Sequence, residues 1–387
     1  MWFFTSPRVV FGEDALEELL ELEGQRAFIV TDKILMELGL VQKVTAVLEE
    51  AGFEVTYFDE VESDPSLDTC QAGSKEMLEF SPDWIIAVGG GSVIDAAKAM
   101  WVLYERPDME LWAVFPDVKI GLRNKAHLVA IPTTSGTGSD VTFATIITDK
   151  NEQRKIILAS REIVPDISIV DPSMTAAMPS NLTAMTGLDA IAHSIEAYVA
   201  EWRNDFSDGL ALHALRLAFK YLPICVSDGA NVEAREHMHN TATISGLAFG
   251  NSQVGIAHSM SHAFGAAFHI PHGKGCGVFL PYAVEFNRTE ANDRYADICQ
   301  HLNIPLSDKE DPGGALGAFL RKFIKELGMP TTIAELGIDR AVFEEKLPNL
   351  VELASEDSAT LANPRPLDDE EVEKLFLAAF DGQVVDF

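Results

Sequence analysis

The chain has 387 residues, more than one ordinary compact core accommodates, so two domains are expected. Hydrophobic residues make up 47% and charged residues 23%, the balance of a globular protein with a polar surface. Its 29 Lys+Arg against 60 Asp+Glu give a formal charge of −31, which repels phosphate backbones and anionic lipid and argues against nucleic acid or a membrane as partner.

The opening Met1-Trp2-Phe3-Phe4 is apolar but very short, with no basic segment before a long apolar one, so no signal peptide is expected. No uninterrupted apolar run reaches the roughly 18 residues that span a bilayer. Cys70, Cys225, Cys276 and Cys299 are scattered without C-x-x-C spacing, which disfavours a zinc ribbon or redox motif and fits a reducing cytoplasm.

In the first half, short β-branched runs alternate with amphipathic patterns. Ala27-Phe28-Ile29-Val30 reads as a buried strand ending at Thr31-Asp32, and Val41 to Ala51 as a helix closed by Gly52. Phe53 to Tyr57 is the next strand. Trp84 to Val88 is another and runs into Gly89-Gly90-Gly91-Ser92, followed by a helix from Val93 to Tyr104. Leu128 to Ile131 leads through Pro132 into Thr133-Thr134-Ser135-Gly136-Thr137-Gly138-Ser139. This alternation predicts a doubly wound (Rossmann-like) parallel-sheet α/β domain over residues 1–180. A boundary is expected near Pro179-Ser180-Asn181, where Pro precedes a capping residue. Beyond it the patterns are helical: Leu182 to Val199, Ser207 to Tyr221, Val232 to Phe249 and Ile256 to Phe268. Residues 181–387 are therefore expected to form an all-α domain. Ser307 to Gly314 reads as a polar loop and Leu353 to Glu370 as a further irregular stretch.

Two loops have the composition of phosphate cradles. Gly89-Gly90-Gly91-Ser92 joins a strand to a helix, where glycine lets the backbone approach an anion and the helix N-terminus offers unpaired N–H groups. Asp95 is read as stabilising the first turn of that helix. The Thr/Ser/Gly loop after Ile131 offers hydroxyls for diphosphate and ribose, and both loops lie at strand carboxyl ends, where open α/β sheets bind ligands. Asp32, ending the first strand, is placed to accept hydrogen bonds from an adenosine ribose and to repel a 2′-phosphate, favouring NAD over NADP; the plainer role is a turn or cap.

Asp189 and His193 stand four apart on a predicted helix and share a face. Of the ten histidines, His258, His262, His269 and His272 fall within one short stretch among Ala, Gly and Phe, where a neutral imidazole needs a partner. A carboxylate with imidazoles suits Fe²⁺, Zn²⁺ or Mn²⁺. Spacing does not say which of the four histidines bind.

Taken together, Gly89 to Lys98, Pro132 to Ser139, Thr183 to His193 and Gly255 to Gly273 resemble the iron-containing (group III) alcohol dehydrogenase family, from the opening F-x-x-P-R-V-V-F-G to about Phe286 and weakly after residue 300. The resemblance implies Asp189, His193, His258 and His272 as metal ligands, with His262 a nearby non-ligand in proton relay. It places Gly90, Gly91 and Ser92 on the cofactor diphosphate. Thr133, Thr134, Thr137, Thr142 and Lys155 would line the rest of the cofactor cleft, and Phe249 the substrate pocket. The implied enzyme uses NAD and Fe²⁺ (or Zn²⁺) to interconvert a small primary alcohol or diol and its aldehyde, as a cytoplasmic homodimer or larger homo-oligomer. Three positions depart from the family pattern: Asp140 stands where Glu is usual, Asp64-Pro65-Ser66 where Asn-Pro-Thr is frequent, and Ser261 where Ala precedes the helical His. Rival readings are a polyol dehydrogenase or an NAD-recycling synthase on the same scaffold, a metal-dependent hydrolase, and a non-catalytic nucleotide-binding module. The glycine and threonine loops speak against a hydrolase, which needs no dinucleotide site.

Overall fold

The computed structural model describes residues 3–150, 154–306 and 311–387. Met1-Trp2 and Ser307–Glu310, which fall in the apolar opening and the polar loop expected from sequence, lie outside the described residues. The chain divides into two compact units, Met1–Met178 and Pro179–Phe387.

In the first unit the elements follow the order β1 (Arg8–Phe11), β2 (Arg26–Val30), α1 (Lys33–Glu37), α2 (Leu40–Glu50), β3 (Glu54–Phe58), α3 (Leu67–Phe80), β4 (Trp84–Gly89), α4 (Gly91–Glu105), β5 (His127–Pro132), β6 (Ala144–Asp149), β7 (Arg154–Ala159) and β8 (Ile167–Val170). Six strands form a parallel sheet in the order β1-β8-β5-β4-β2-β3. Its central strands are buried on both faces, which is why they read as unbroken apolar runs. Alternate residues serve opposite cores. Phe28, Val30, Ile85, Ala87, Leu128 and Ala130 pack in the cluster that takes in α3 and α4. Ala27, Ile29, Ile86, Val88, Val129 and Ile131 pack in the cluster holding Leu40, Val41, Val44 and Leu48 of α2.

From β2 the chain moves outward to β3, and from β4 it moves the opposite way to β5, so the strand order reverses between the adjacent β2 and β4. Thr31-Asp32 and Gly89-Gly90-Gly91 leave the sheet at this switch point. The hydroxyl of Thr31 donates across it to Val88 O, at 3.0 Å. Two features escape the periodicity argument. β1 and β8 are four-residue strands at one side of the sheet, too short to stand out, and β6–β7 form an antiparallel hairpin apart from the parallel sheet.

The second unit is helical: α5 (Ser180–Val199), α6 (Asp205–Ser227), α7 (Val232–Phe249), α8 (Ile256–Phe268), α9 (His272–Leu302), α10 (Pro312–Glu326), α11 (Arg340–Glu356) and α12 (Asp369–Asp381). Among the described residues no strand follows β8. α5 is apolar nearly all round and sits centrally, packed against α6, α7 and α9. Where the sequence read Leu353 to Glu370 as irregular, α11 continues to Glu356 and Asp357 follows it as the C-cap. One helix, α6, is long and apolar enough by length and composition to cross a membrane; it packs against α5 and α7.

Small residues let α9 lie on α5. A Cβ at Gly273 would fall 2.4 Å from Met185 O, and one at Gly277 would fall 2.9 Å from Leu188 Cδ1. On the other flank, Gly275 abuts Ser261 of α8, whose hydroxyl donates to His272 O at 3.0 Å. The hydroxyl at position 261 thus ties the opening of α9 to α8.

Candidate functional site

In the helical unit, α5, α8 and α9 each contribute to one cluster. Asp189 and His193 lie one turn apart on α5, His258 is in the first turn of α8, and His272 is the opening residue of α9. One donor atom from each lies within 4.8 Å of the other three. From Asp189 Oδ1 the distances are 3.4 Å to His272 Nε2, 3.8 Å to His258 Nε2 and 4.0 Å to His193 Nε2. A tetrahedron with arms of about 2.1 Å has edges of about 3.4 Å, so the spacing approaches that of a first-row divalent ion's ligands.

The surroundings fit such an ion. Asp189, His193 and His258 are 2%, 4% and 2% exposed. Asp189 Oδ1 and His258 Nε2 are buried, face each other, and form no hydrogen bond among the described residues. Leaving two such atoms bare costs about 1–3 kcal/mol each unless something else binds them. Burial by itself would raise the Asp189 carboxyl, but His193, His272 and His258 around it hold it below its ordinary range. Burial would likewise push His258 down, yet Cys276 and Glu196 raise it well above 6.5. Asp189 is thus held ionised, while burial, with His262 and His258 nearby, pushes His272 the other way, down to about 4, despite the Asp189 charge beside it.

The supporting contacts are specific. Glu196, one turn beyond His193 on α5 and 3% exposed, binds His258 Nδ1 through Oε2 and accepts from Ala257 N through Oε1 at 2.7 Å. His193 is stacked between Phe249 (4.0 Å between centroids) and His258 (4.6 Å), so Phe249 bears directly on a ring of the cluster. His262 is outside the donor set: its Nδ1 meets Asp357 Oδ2 at 2.7 Å, and its ring stacks on His272 at 5.1 Å. His269 is exposed and caps α8 at φ 55°. Cys276 Sγ lies 3.5 Å from His272 Nε2. The sequence reading passed over Glu196, Asp357 and Cys276. Glu196 had a signal, seven residues after Asp189 on the same helical face; Asp357 is far away in sequence, and Cys276 looked like one scattered thiol among four.

In the α/β unit the two loops meet side by side. A Cβ at Gly90 would stand 3.2 Å from Thr134 Cγ2, and one at Gly91 would stand 2.9 Å from Thr137 Cγ2. Glycine is thus needed for the loops to touch. The first bond of α4 runs from Ile94 N to Gly90 O at 3.1 Å. Ahead of it, the N–H groups of Gly91, Ser92 and Val93 are the open donors of a helix N-terminus. Thr133 N bonds Gly89 O at 3.0 Å, closing the two loops on each other. These features fit an anionic dinucleotide.

Asp95 does not act on its own helix end. Ser139 Oγ donates to its Oδ1 at 2.5 Å and Ile146 N to its Oδ2 at 3.1 Å, so it anchors the second loop. Lys98 is fully buried, and burial pushes its pKa down to about 8; it donates to Thr142 O at 2.8 Å, Thr142 Oγ1 at 3.3 Å and Ala144 O at 3.1 Å. Thr142 is therefore an interior brace of this loop. Lys155, on β7, pairs with Asp64 and donates to Thr148 Oγ1 at 2.8 Å, while Asp64 N donates to Ser92 Oγ at 3.4 Å. The hairpin is thereby brought to the glycine loop through Asp64. Asp32 caps α1, accepting from Leu35 N at 2.9 Å, and is half-buried at the end of β2.

The chain matches two family profiles that adjoin each other. Residues 6–172 match the family described as iron-containing alcohol dehydrogenase, and residues 183–380 match the Fe-containing alcohol dehydrogenase family, C-terminal. It is 42% identical over 394 residues to the NADPH-dependent butanol dehydrogenase of Clostridium saccharobutylicum, covering 100% of both chains. It is 38% identical over 405 residues to aldehyde-alcohol dehydrogenase 2 of Entamoeba histolytica, covering 98% of this chain and 46% of that one, so it spans about half the length of that relative. Among solved structures, a 1,3-propanediol oxidoreductase superposes with a TM-score of 0.91 at 31% identity, covering 98% of this chain and 100% of the other.

Proposed function

This chain belongs to the iron-containing alcohol dehydrogenase family, and we propose that it interconverts a small primary alcohol or diol and its aldehyde using NAD(H) and a divalent ion, Fe²⁺ or Zn²⁺, held by Asp189, His193, His258 and His272. The observation that carries the metal assignment is the pair of bare, buried atoms, Asp189 Oδ1 and His258 Nε2, facing each other at 3.8 Å.

When bound, the ion supplies Lewis acidity, lowering the pKa of the alcohol hydroxyl and polarising the aldehyde carbonyl. Asp189 contributes the negative charge of the donor set, and the imidazoles contribute neutral lone pairs. Phe249, stacked on His193, holds that ring and offers an apolar wall to the substrate's alkyl chain. His262, with Nδ1 committed to Asp357, has Nε2 as the atom that takes and returns a proton. Residues 1–180 serve as the dinucleotide-binding domain. Gly90, Gly91 and Ser92 receive the diphosphate at the α4 N-terminus, Thr134 and Thr137 lie beside them, Thr133 and Thr142 fix the second loop, and Lys155, paired with Asp64, lines the cleft beside the glycine loop. Residues 181–387 serve as the metal-binding and substrate domain.

Asp32 supports NAD over NADP: its carboxylate stands at the strand switch point, where it repels a 2′-phosphate. The butanol dehydrogenase named above is NADPH-dependent, which favours NADP as the second reading. Four buried thiols support a cytoplasmic setting, and we expect a homodimer or larger assembly.

The test is anaerobic purification, metal analysis, and near-ultraviolet detection of NADH or NADPH with short alcohols and diols. Asp189→Ala is expected to lose both metal and turnover. Full metal content with undiminished turnover in that variant refutes the ligand assignment.

A further inference from the structure

Glu196 is a buried carboxylate that none of the roles above uses for chemistry. It lies on α5 with Asp189 and His193, and its two oxygens serve two different donors at the start of α8, His258 Nδ1–H and Ala257 N–H. Gly255, the N-cap of α8, comes so close that a Cβ there would lie 3.2 Å from Glu196 Oε1, so α8 starts hard against this side chain.

We propose that Glu196 is a positioning residue of the metal centre: it fixes His258 in the tautomer protonated on Nδ1, so that Nε2 faces Asp189 as a bare donor, and its charge completes neutrality around the divalent ion. The inference rests on the metal-binding reading above. Two arguments carry it. The first is hydrogen-bond arithmetic. Both partners of Glu196 must donate if His258 is to ligate through Nε2, so the residue between them must accept twice, at two separate atoms. Glutamate does so; glutamine cannot. An amide presents one acceptor and one donor. Either its NH₂ opposes Ala257 N–H, or it donates to His258 Nδ1 and drives the ring proton onto Nε2, the ligating nitrogen. The second argument is charge. Three neutral imidazoles and Asp189 leave a divalent ion with net charge +1 in a pocket whose walls are buried, and Glu196 brings the sum to zero. Outer carboxylates of this kind orient ligating histidines and raise their basicity.

The decisive experiment compares the full-length parent, Glu196→Gln and Glu196→Asp, each stripped of metal and titrated with Co²⁺ against a chelator, with the visible cobalt absorption recorded. Glu196→Gln is expected to bind Co²⁺ about 10–100-fold more weakly, with an altered spectrum. Glu196→Asp, which keeps both acceptors and the charge, is expected to retain the parent's spectrum and most of its affinity. A Glu196→Gln protein with the parent's affinity and spectrum overturns the inference while leaving the metal site standing. Equal losses in both variants also overturn it, reducing Glu196 to a space-filling role. A parent that binds no Co²⁺ overturns the metal reading and this inference with it.

Discussion

Adding one methyl group at Gly273 puts the packing argument at risk most directly. Gly273 is the second residue of α9, next to His272, and a Cβ there would lie 2.4 Å from Met185 O and 3.2 Å from Asp189 Cβ. The obstacle is helix backbone, which cannot rotate aside as a side chain can. An ordinary carbon contact needs about 3.5 Å, so α9 must retreat from α5 by roughly 1 Å. Overpacking of this sort costs about 1–3 kcal/mol. At about 2.1 cal/mol/K of unfolding entropy per residue, each kcal/mol lowers Tm of a 387-residue chain by about 1 °C. The same displacement separates His272 from Asp189, which now stand 3.4 Å apart, by far more than the roughly 0.2 Å tolerance of a metal–ligand bond. Gly273→Ala should therefore lower both Tm and metal affinity, the latter at least about tenfold at the outer-ligand scale. Gly209→Ala is the control. That glycine is exposed within α6 with nothing within 4 Å of its added Cβ, so the substitution should be neutral or stabilise by about 0.4–1 kcal/mol. Differential scanning calorimetry with metal analysis reads both quantities. A Gly273→Ala protein with the parent's Tm and metal content refutes the claim that glycine here sets the approach of α9 to α5.

Further outcomes follow from the other unit and from the flanking contacts. Gly91→Val thrusts a branched side chain toward Thr137, 2.9 Å from the position of a Cβ, and should weaken NADH binding at least about tenfold while metal content stays unchanged, as followed by nucleotide fluorescence. Asp32→Gly removes a charge but only a weak share of the cap on α1; it should cost a few tenths of a kcal/mol and raise the NADP/NAD ratio of kcat/KM, and an unchanged ratio removes Asp32 from cofactor choice. Burial by itself would raise Glu62, but hydrogen bonds from Ser66, its own backbone, Thr69 and Lys150 hold it down to about 2 from 4.5. A depressed pKa stabilises above the unfolded value, so the advantage of the parent over Glu62→Gln should be full above pH 4.5 and vanish as pH falls toward 2; a difference that grows on acidification contradicts the assignment.

Much of this architecture was legible because local and tertiary requirements coincide. Val232 to Phe249 and Ile256 to Phe268 are helices with the ends that periodicity gives, and the strands after Gln25, Asp83 and Ala126 fall within a residue or two of their apolar runs. Legibility failed where an element is defined by its partner. β1 and β8 are four residues each and exist as strands because they pair with one another and with β5. The hairpin β6–β7 is placed by Asp95, Lys98 and the Asp64–Lys155 pair, none of which local periodicity reports. Asp95 itself looked like a helix-stabilising charge and proved to bind the neighbouring loop, because a carboxylate one turn into a helix can point outward as easily as along it.

The site divides in the same way. Residues four apart on a helix share a face by geometry alone, so the pairing of Asp189 with His193 was written in the chain, as was the use of glycine where a strand turns into α4. The order of residues could not choose among His258, His262, His269 and His272, since four imidazoles in one stretch are chemically alike. Which of them gather around Asp189 is set by three helices meeting: close contact at Gly273, Gly275 and Gly277 puts His272 beside Asp189, Glu196 meets Nδ1 of His258, and Asp357 meets Nδ1 of His262. Spacing along a chain constrains which side chains can cooperate within one element. Only the packing of elements distant in sequence, with each buried donor matched to an acceptor, decides which of them do.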